Sequence, residues 1–325
     1  MIHVRTCIRV PCFALSIMLA SPALFAQGPG ERQQPEFIKQ GRQLMREGKL
    51  DEALALYRRT LQSSPNSTNS IDANIAAGNV LDLMGRGSEA RNYFEKAIDS
   101  AGTPEGKAMA ERSLAISYAF EANCRKAGEY ERRVFEYYGT LKNFFQQGEV
   151  ADEAARICID ASPERRGANA GLDAAARWYR LGHDTGLKEP DIKPDRVDLW
   201  NFRLEHAEAR LAARRGDQTE AQKHVAAAKA ILDKGKIPQQ AQFFPYLEGY
   251  VAFYGGDYKS ALADFLKSNQ NDPFVQCMTA RTYEKLGDKA KAIDSYREAA
   301  AAISHNPPAA YAVPFAKKRL AALSR

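Results

Sequence analysis

One local pattern recurs five times along this chain: a glycine turn, a short polar link, an alanine, and in most copies an aromatic residue four positions later. Gly48-Lys49-Leu50-Asp51-Glu52-Ala53 leads to Tyr57, and Gly85-Arg86-Gly87-Ser88-Glu89-Ala90 leads to Phe94 and Ala97. Gly216-Asp217-Gln218-Thr219-Glu220-Ala221 leads to Ala228. Gly256-Asp257-Tyr258-Lys259-Ser260-Ala261 leads to Phe265, and Gly287-Asp288-Lys289-Ala290-Lys291-Ala292 leads to Tyr296 and Ala299. Seven residues before each turn stands a small side chain: Gly41, Gly78, Ala209, Gly249 and Ala280. Small residues let two antiparallel helices approach closely, and glycine accepts the left-handed backbone that closes a helix. A helical hairpin of this kind exposes an apolar side that only the next hairpin can cover, so the units must stack.

The pattern resembles the tetratricopeptide repeat family, whose period is about 34 residues. The resemblance implies an all-α fold: a right-handed superhelical solenoid of antiparallel helix pairs. Clear repeats are expected at 34–67, 71–104, 202–235, 242–275 and 273–306, with weaker ones at 108–141 and 142–186. In the weak units Ala122-Asn123-Cys124 replaces a glycine turn, yet helix formers at helical spacing persist. The N-terminal set thus spans 34–186, and the C-terminal set spans 196–306. Pro190 and Pro194 mark a connecting loop at 187–195. After Asn306-Pro307-Pro308, residues 307–325 read as a capping helix with Lys317, Lys318 and Arg319 exposed.

Residues 1–26 read as a secretory signal peptide: Arg5 and Arg9, an apolar run from Val10 to Phe25, and the small residue Ala26. Residues 27–33 read as a flexible segment. The apolar run is shorter than the roughly 20 residues of a spanning helix, although an uncleaved anchor stays open as the alternative. Export is therefore expected, to the periplasm in a Gram-negative bacterium and to the outside otherwise, with no stable membrane insertion after cleavage.

The net charge of +6 loses Arg5 and Arg9 with the signal and falls to +4. Basic residues are dispersed among Asp and Glu, which excludes the dense stripe that phosphate backbones demand; no nucleic acid partner is expected. Cys7 and Cys12 leave with the signal, so Cys124, Cys158 and Cys277 remain, an odd number that cannot all pair within the chain. On the repeat scheme Cys124 opens the second helix of one unit and Cys158 lies near the end of the next unit's first helix. Both fall at one edge of the stack, so a Cys124–Cys158 disulfide and three buried thiols are both open.

Chemistry is sparse. His183, His206, His224 and His305 are scattered, and no metal-ligand motif, nucleophile elbow or phosphate-cradling loop is present. No catalytic residue, metal or cofactor is expected. Asn66-Ser67-Thr68 matches a glycosylation sequon, relevant only in a eukaryotic secretory route.

The resemblance implies that the first helix of each pair lines a concave groove. The richest stretch there is Phe243, Tyr246, Tyr250, Phe253 and Tyr254, most of them along one stripe of a single helix. His206, Arg210 and Arg214 precede it and Arg281 and Lys285 follow it at matching offsets. Rings flanked by cations suit an extended peptide, although packing between neighbouring helices explains the same rings. The chaperone-binding members' clamp of Lys, Asn and Arg is matched only by Arg112, so that capture is not expected. The expected function is a non-catalytic scaffold or adaptor of the bacterial envelope, binding a peptide or protein in the groove. An accessory subunit docked to an envelope enzyme or secretion complex through another face is the alternative, with a hydrolase or glycan-binding protein behind it.

Overall fold

A computed structural model describes residues 35–63, 69–163 and 169–324. The expected signal peptide at residues 1–26, the segment 27–33 and the Asn66 sequon lie outside the described residues. Among the described residues the chain is helical throughout, with no strand. Three hairpins come first: α1 (Glu36–Arg46) with α2 (Leu50–Ser63), α3 (Asn69–Met84) with α4 (Gly87–Asp99), and α5 (Pro104–Phe120) with α6 (Cys124–Thr140). Next come α7 (Phe144–Ala161) with α8 (Ala170–Gly186), and α9 (Pro194–Arg215) with α10 (Gln218–Asp233). A 3-10 turn at Pro238–Phe243 leads into α11 (Phe244–Gly255) with α12 (Tyr258–Phe265). Finally α13 (Pro273–Lys285) pairs with α14 (Lys289–Ala300), and α15 (Pro307–Leu323) closes the chain.

The recurrent turn has a simple local cause. A left-handed residue ends one helix, and from α6 onward an Asp or Asn caps the next immediately after it, whereas Lys49 and Arg86 hold that place after Gly48 and Gly85. Asp217, Asp257 and Asp288 each accept from the amide three residues on, at 3.0, 3.1 and 3.1 Å. In the middle of the chain the same geometry is kept without glycine: Ala122 (φ 55°) precedes Asn123 and Lys142 (φ 52°) precedes Asn143. A left-handed non-glycine residue costs about 1–2 kcal/mol, which the Asn caps and the packing offset.

Helix pairing follows the small-residue rule. A Cβ added at Gly41 would lie 2.0 Å from the Tyr57 hydroxyl oxygen, and one at Gly78 would lie 2.5 Å from the Phe94 ring. The α7–α8 unit replaces this device. Trp200 of α9 is fully buried in a notch where added Cβ atoms at Gly148 and Gly186 would stand 2.2 and 2.0 Å from the indole. Cys124, the first residue of α6, is joined by a disulfide to Cys158 of α7, while Cys277 is a buried thiol.

The concave side is not an open wall. The array curls until α15 packs against the first helices α5 and α7 as well as against its neighbours α13 and α14. Ala309, Ala310 and Val313 share a core with Leu81, Leu114 and Phe120. His305 binds Asp82 at 2.9 Å and stacks on Phe120, with ring centroids 5.3 Å apart. Lys317 donates to the Leu83 carbonyl at 2.6 Å, where α3 has unbonded carbonyls to satisfy. Arg319 is bonded to Glu284. The expected polar cap is thus a strut: of the three basic residues, Lys317 and Arg319 tie α15 down instead of projecting freely.

One buried acid sets a pH dependence. Glu131 of α6 is fully buried, and neither carboxylate oxygen has a hydrogen-bond partner. Burial, reinforced by Glu153 and opposed by Arg112, raises its pKa well above the ordinary 4.5. Arg112 cannot neutralise it fully because it is bonded to Glu153. The folded chain therefore holds a proton that the unfolded chain releases above about pH 4.5, and this group's contribution falls as pH rises through that window. Glu131→Gln is expected to match the wild type at pH 4. Its stability relative to the wild type should then rise as the pH goes above 5 and level off once the pH passes the raised pKa of Glu131. Urea titrations at pH 4, 6 and 8 check this; parallel curves would refute it.

Candidate functional site

Helices α7, α8, α9, α11 and α13 and the turn at Pro238–Phe243 surround a residue-sized space. The cavity is about 270 Å³, just below the roughly 300–1,000 Å³ of drug-sized pockets. Asp152 and Arg156 come from α7, Tyr179 from α8, and Phe202, Arg203, His206 and Arg210 from α9. Tyr246 of α11 completes the floor, Asp272 and Val275 form the α13 side, and Gln240, Gln242 and Phe243 form the rim.

On α9 the spacing of Arg203, His206 and Arg210 puts all three on one face. Arg203 is bonded to Glu149 and lies 3.5 Å from Asp152. Burial nonetheless pushes the Asp152 carboxyl up to about 7, with Arg203 opposing. Arg156 donates to Asp160 at 2.6 Å, and its guanidinium lies 4.3 Å from the Phe274 ring centroid. Arg210, only 5% exposed, donates to the Tyr179 hydroxyl at 2.8 Å. The His206 ring stacks on Tyr246 with centroids 5.6 Å apart. Burial first, then the Arg210 and Arg156 charges, holds the His206 pKa well below its usual 6.5, so the ring is neutral at pH 7.

The nine residues expected to contact a partner do not share one exposed surface. Phe243 stands at the rim, 44% exposed, and His206, Arg210 and Tyr246 line the cavity with it. Tyr250 is fully buried among Tyr246, Tyr254 and Phe274, so it presents no face to a ligand. Phe253 is buried beneath the Arg281 guanidinium, 4.7 Å from the ring centroid, and Tyr254 is half-buried under Arg214. Arg281 is buried and donates to the Tyr311 hydroxyl at 2.7 Å, joining α13 to α15. Lys285 is exposed and apart from the cavity, beside the Tyr258 ring. Arg214 serves the fold, donating to the Ile159 and Ser162 carbonyls at 2.9 and 2.7 Å and so capping the end of α7. For these rings, packing between neighbouring helices is the main contact, because residues of α9 and α13 cover this face of α11.

Sequence reasoning missed Asp152, Arg156, Tyr179 and Arg203. Arg203 was accessible from its three- and seven-residue spacing to His206 and Arg210. The α7 and α8 residues were not, because those helices lack the glycine turn that fixes the alignment. Among the described residues no group of three His, Cys, Asp or Glu side chains is placed to hold a metal ion, and no helix is long and apolar enough to cross a membrane.

A family model described as tetratricopeptide repeat matches residues 44–112, and a second of the same description matches 275–305. The sequence matches no curated protein. Among solved structures, the apo form of RapI is similar with 14% identity and a TM-score of 0.50, over 81% of this chain and 94% of that one. A tetratricopeptide repeat protein from Parabacteroides merdae is similar with 13% identity and a TM-score of 0.48, over 89% of this chain and 98% of that one. At 14% identity the likeness to RapI is one of fold.

Proposed function

The chain belongs to the tetratricopeptide-repeat family, and from that premise we propose that it is a non-catalytic scaffold or adaptor of an exported compartment, the bacterial envelope. Repeat arrays of this kind serve as protein-interaction scaffolds. The observation that carries the finer reading is the rim of the cavity. Phe243 there is a large exposed aromatic beside Gln240 and Gln242. Exposed aromatics at the mouth of a pocket are the residue type that anchors protein partners. A peptide or protein segment would dock across this rim, not along the full groove. The Cys124–Cys158 disulfide supports export, because such bonds persist in oxidising compartments.

A second reading, docking through another face, is favoured by Leu141 at the end of α6, a large apolar side chain more exposed than Phe243. Capture from an envelope fraction with purified protein separates the two. Phe243→Asp, an exposed change with little folding cost, is expected to lose the partner by about tenfold or more, the scale of an anchor residue, while Leu141→Asp retains it. Loss only with Leu141→Asp moves the partner to the other face. Retention in both variants overturns the rim, and capture of nothing above a bead control overturns the scaffold itself.

A further inference from the structure

The cavity beside Phe243 is close to balanced in charge but not in hydrogen bonds. Its three guanidiniums are met by four carboxylates. Arg156 is bonded to Asp160 and Arg203 to Glu149 and Asp152, while Asp152 also acts on Arg210 and Asp272 on Arg156. Burial pushes Asp152 up to about 7 and raises Asp272, so part of the surplus negative charge carries a proton at neutral pH. An ion entering this space would find no counter-charge left over, and an unmatched buried charge is strongly unfavourable.

Four buried polar atoms of the lining have no partner among the described residues, and they differ in kind. Arg156 Nη2 and Arg210 Nη1 donate and cannot accept. His206 Nε2 is an acceptor, because the ring is neutral and the hydrogen bond to the Phe243 backbone belongs to its other nitrogen. The Tyr246 hydroxyl, on a residue 8% exposed, does both. Such groups are costly to leave dry. Hydroxyls serve donors and acceptors alike, so a guest with several of them satisfies all four atoms without bringing charge. Water shares that ability, but it makes no use of the apolar remainder: Phe202 and Val275 in the wall and the exposed Phe243 ring at the rim. A sugar ring has hydroxyls at its edge and C–H groups on its face, and a volume of about 270 Å³ admits one such ring.

We propose that this cavity binds one neutral sugar ring, with Arg156, Arg210, His206 and Tyr246 hydrogen-bonded to its hydroxyls and Phe243 against its C–H face. A free monosaccharide and the terminal residue of a neutral glycan share that chemistry. The site is additional to the scaffold reading and does not require it: sugar binding and partner capture are separate assays and fail separately.

Saturation-transfer NMR and calorimetric titration of the intact protein test the assignment. The probes are the methyl glycosides of glucose, galactose, mannose and N-acetylglucosamine, in both anomers. At least one is expected to bind saturably. The uronic acid and the protonated amino sugar of the same ring configuration should bind at least about tenfold more weakly, because each brings an unmatched charge. A tighter complex with an oligosaccharide ending in that sugar assigns the ligand to a glycan end; an equal or weaker one assigns it to the free sugar. Tyr246→Phe keeps the ring and removes a hydroxyl that has no partner to lose, so thermal stability should hold or rise while affinity falls about fivefold. Phe243→Ala, at an exposed position, should weaken binding by about the same factor. A purely structural Tyr246 would show the opposite, lower stability with unchanged affinity. Saturable binding by none of the glycosides, equal binding of neutral and charged sugars, or unchanged affinity in Tyr246→Phe would each overturn the proposal.

Discussion

Deleting residues 307–325 should lower the thermal midpoint by about 10 °C and increase the radius of gyration. Capping an exposed terminal hairpin would predict a much smaller effect. The difference lies in what α15 touches. Val313 and the half-buried rings of Tyr311 and Phe315 together contribute about 4–5 kcal/mol on burial. That is roughly 10 °C for a chain of this size. The loss falls at both ends of the array, because α15 shares a core with α3 and α5 and another with α13 and α14. Val313→Asp is a milder form of the same experiment: a charge on the buried face should undock the helix without shortening the chain. Small-angle scattering on both variants reports the curl directly. A midpoint within about 2 °C of wild type, with an unchanged scattering profile, would show that α15 is not the strut described.

His305 and Asp82 pin that strut from residues far apart in the chain, and nothing in a repeat scan points to them. The hairpins themselves are readable because each depends on a few local residues. Gly256 or Gly287 turns the chain, the following Asp caps the next helix, and Gly249 or Ala280 receives Phe265 or Tyr296. The middle of the chain keeps the turn but encodes it differently, with Ala122-Asn123 and Lys142-Asn143. Trp200 then fills from α9 a notch that other units fill from their own second helix. The cavity is half-legible for the same reason. Arg203, His206 and Arg210 fall on one face of a helix whose register is known. Arg156 and Tyr179 arrive from helices whose register the glycine pattern does not set, and Tyr250 is buried by contacts from several elements at once.

The disulfide joins the two hairpins at the point where the repeat signature is weakest, so its loss should be costly. Cys124 and Cys158 are 34 residues apart. Closing a loop of that length restricts the unfolded chain by about 3–4 kcal/mol in the loop-entropy account. Dithiothreitol, or Cys158→Ser, should therefore reduce the unfolding free energy by about that amount, and the reductant should have no further effect on the variant. Cys277 is buried within the α13–α14–α15 packing, so it provides an internal reference thiol. Unreduced protein denatured with an alkylating agent should take one adduct if the bond is formed and the first 26 residues are gone. Three adducts would mean a reduced chain without residues 1–26 or an oxidised chain that keeps Cys7 and Cys12, and the intact mass tells the two apart. The same count ties structure to compartment. Protein recovered from the envelope should give one adduct, whereas a form lacking residues 1–26 and held in a reducing cytoplasm should give three and unfold at the lower denaturant concentration. Three adducts from envelope material whose mass shows that residues 1–26 are gone would remove the support that the disulfide lends to export and leave the α6–α7 junction held by packing alone.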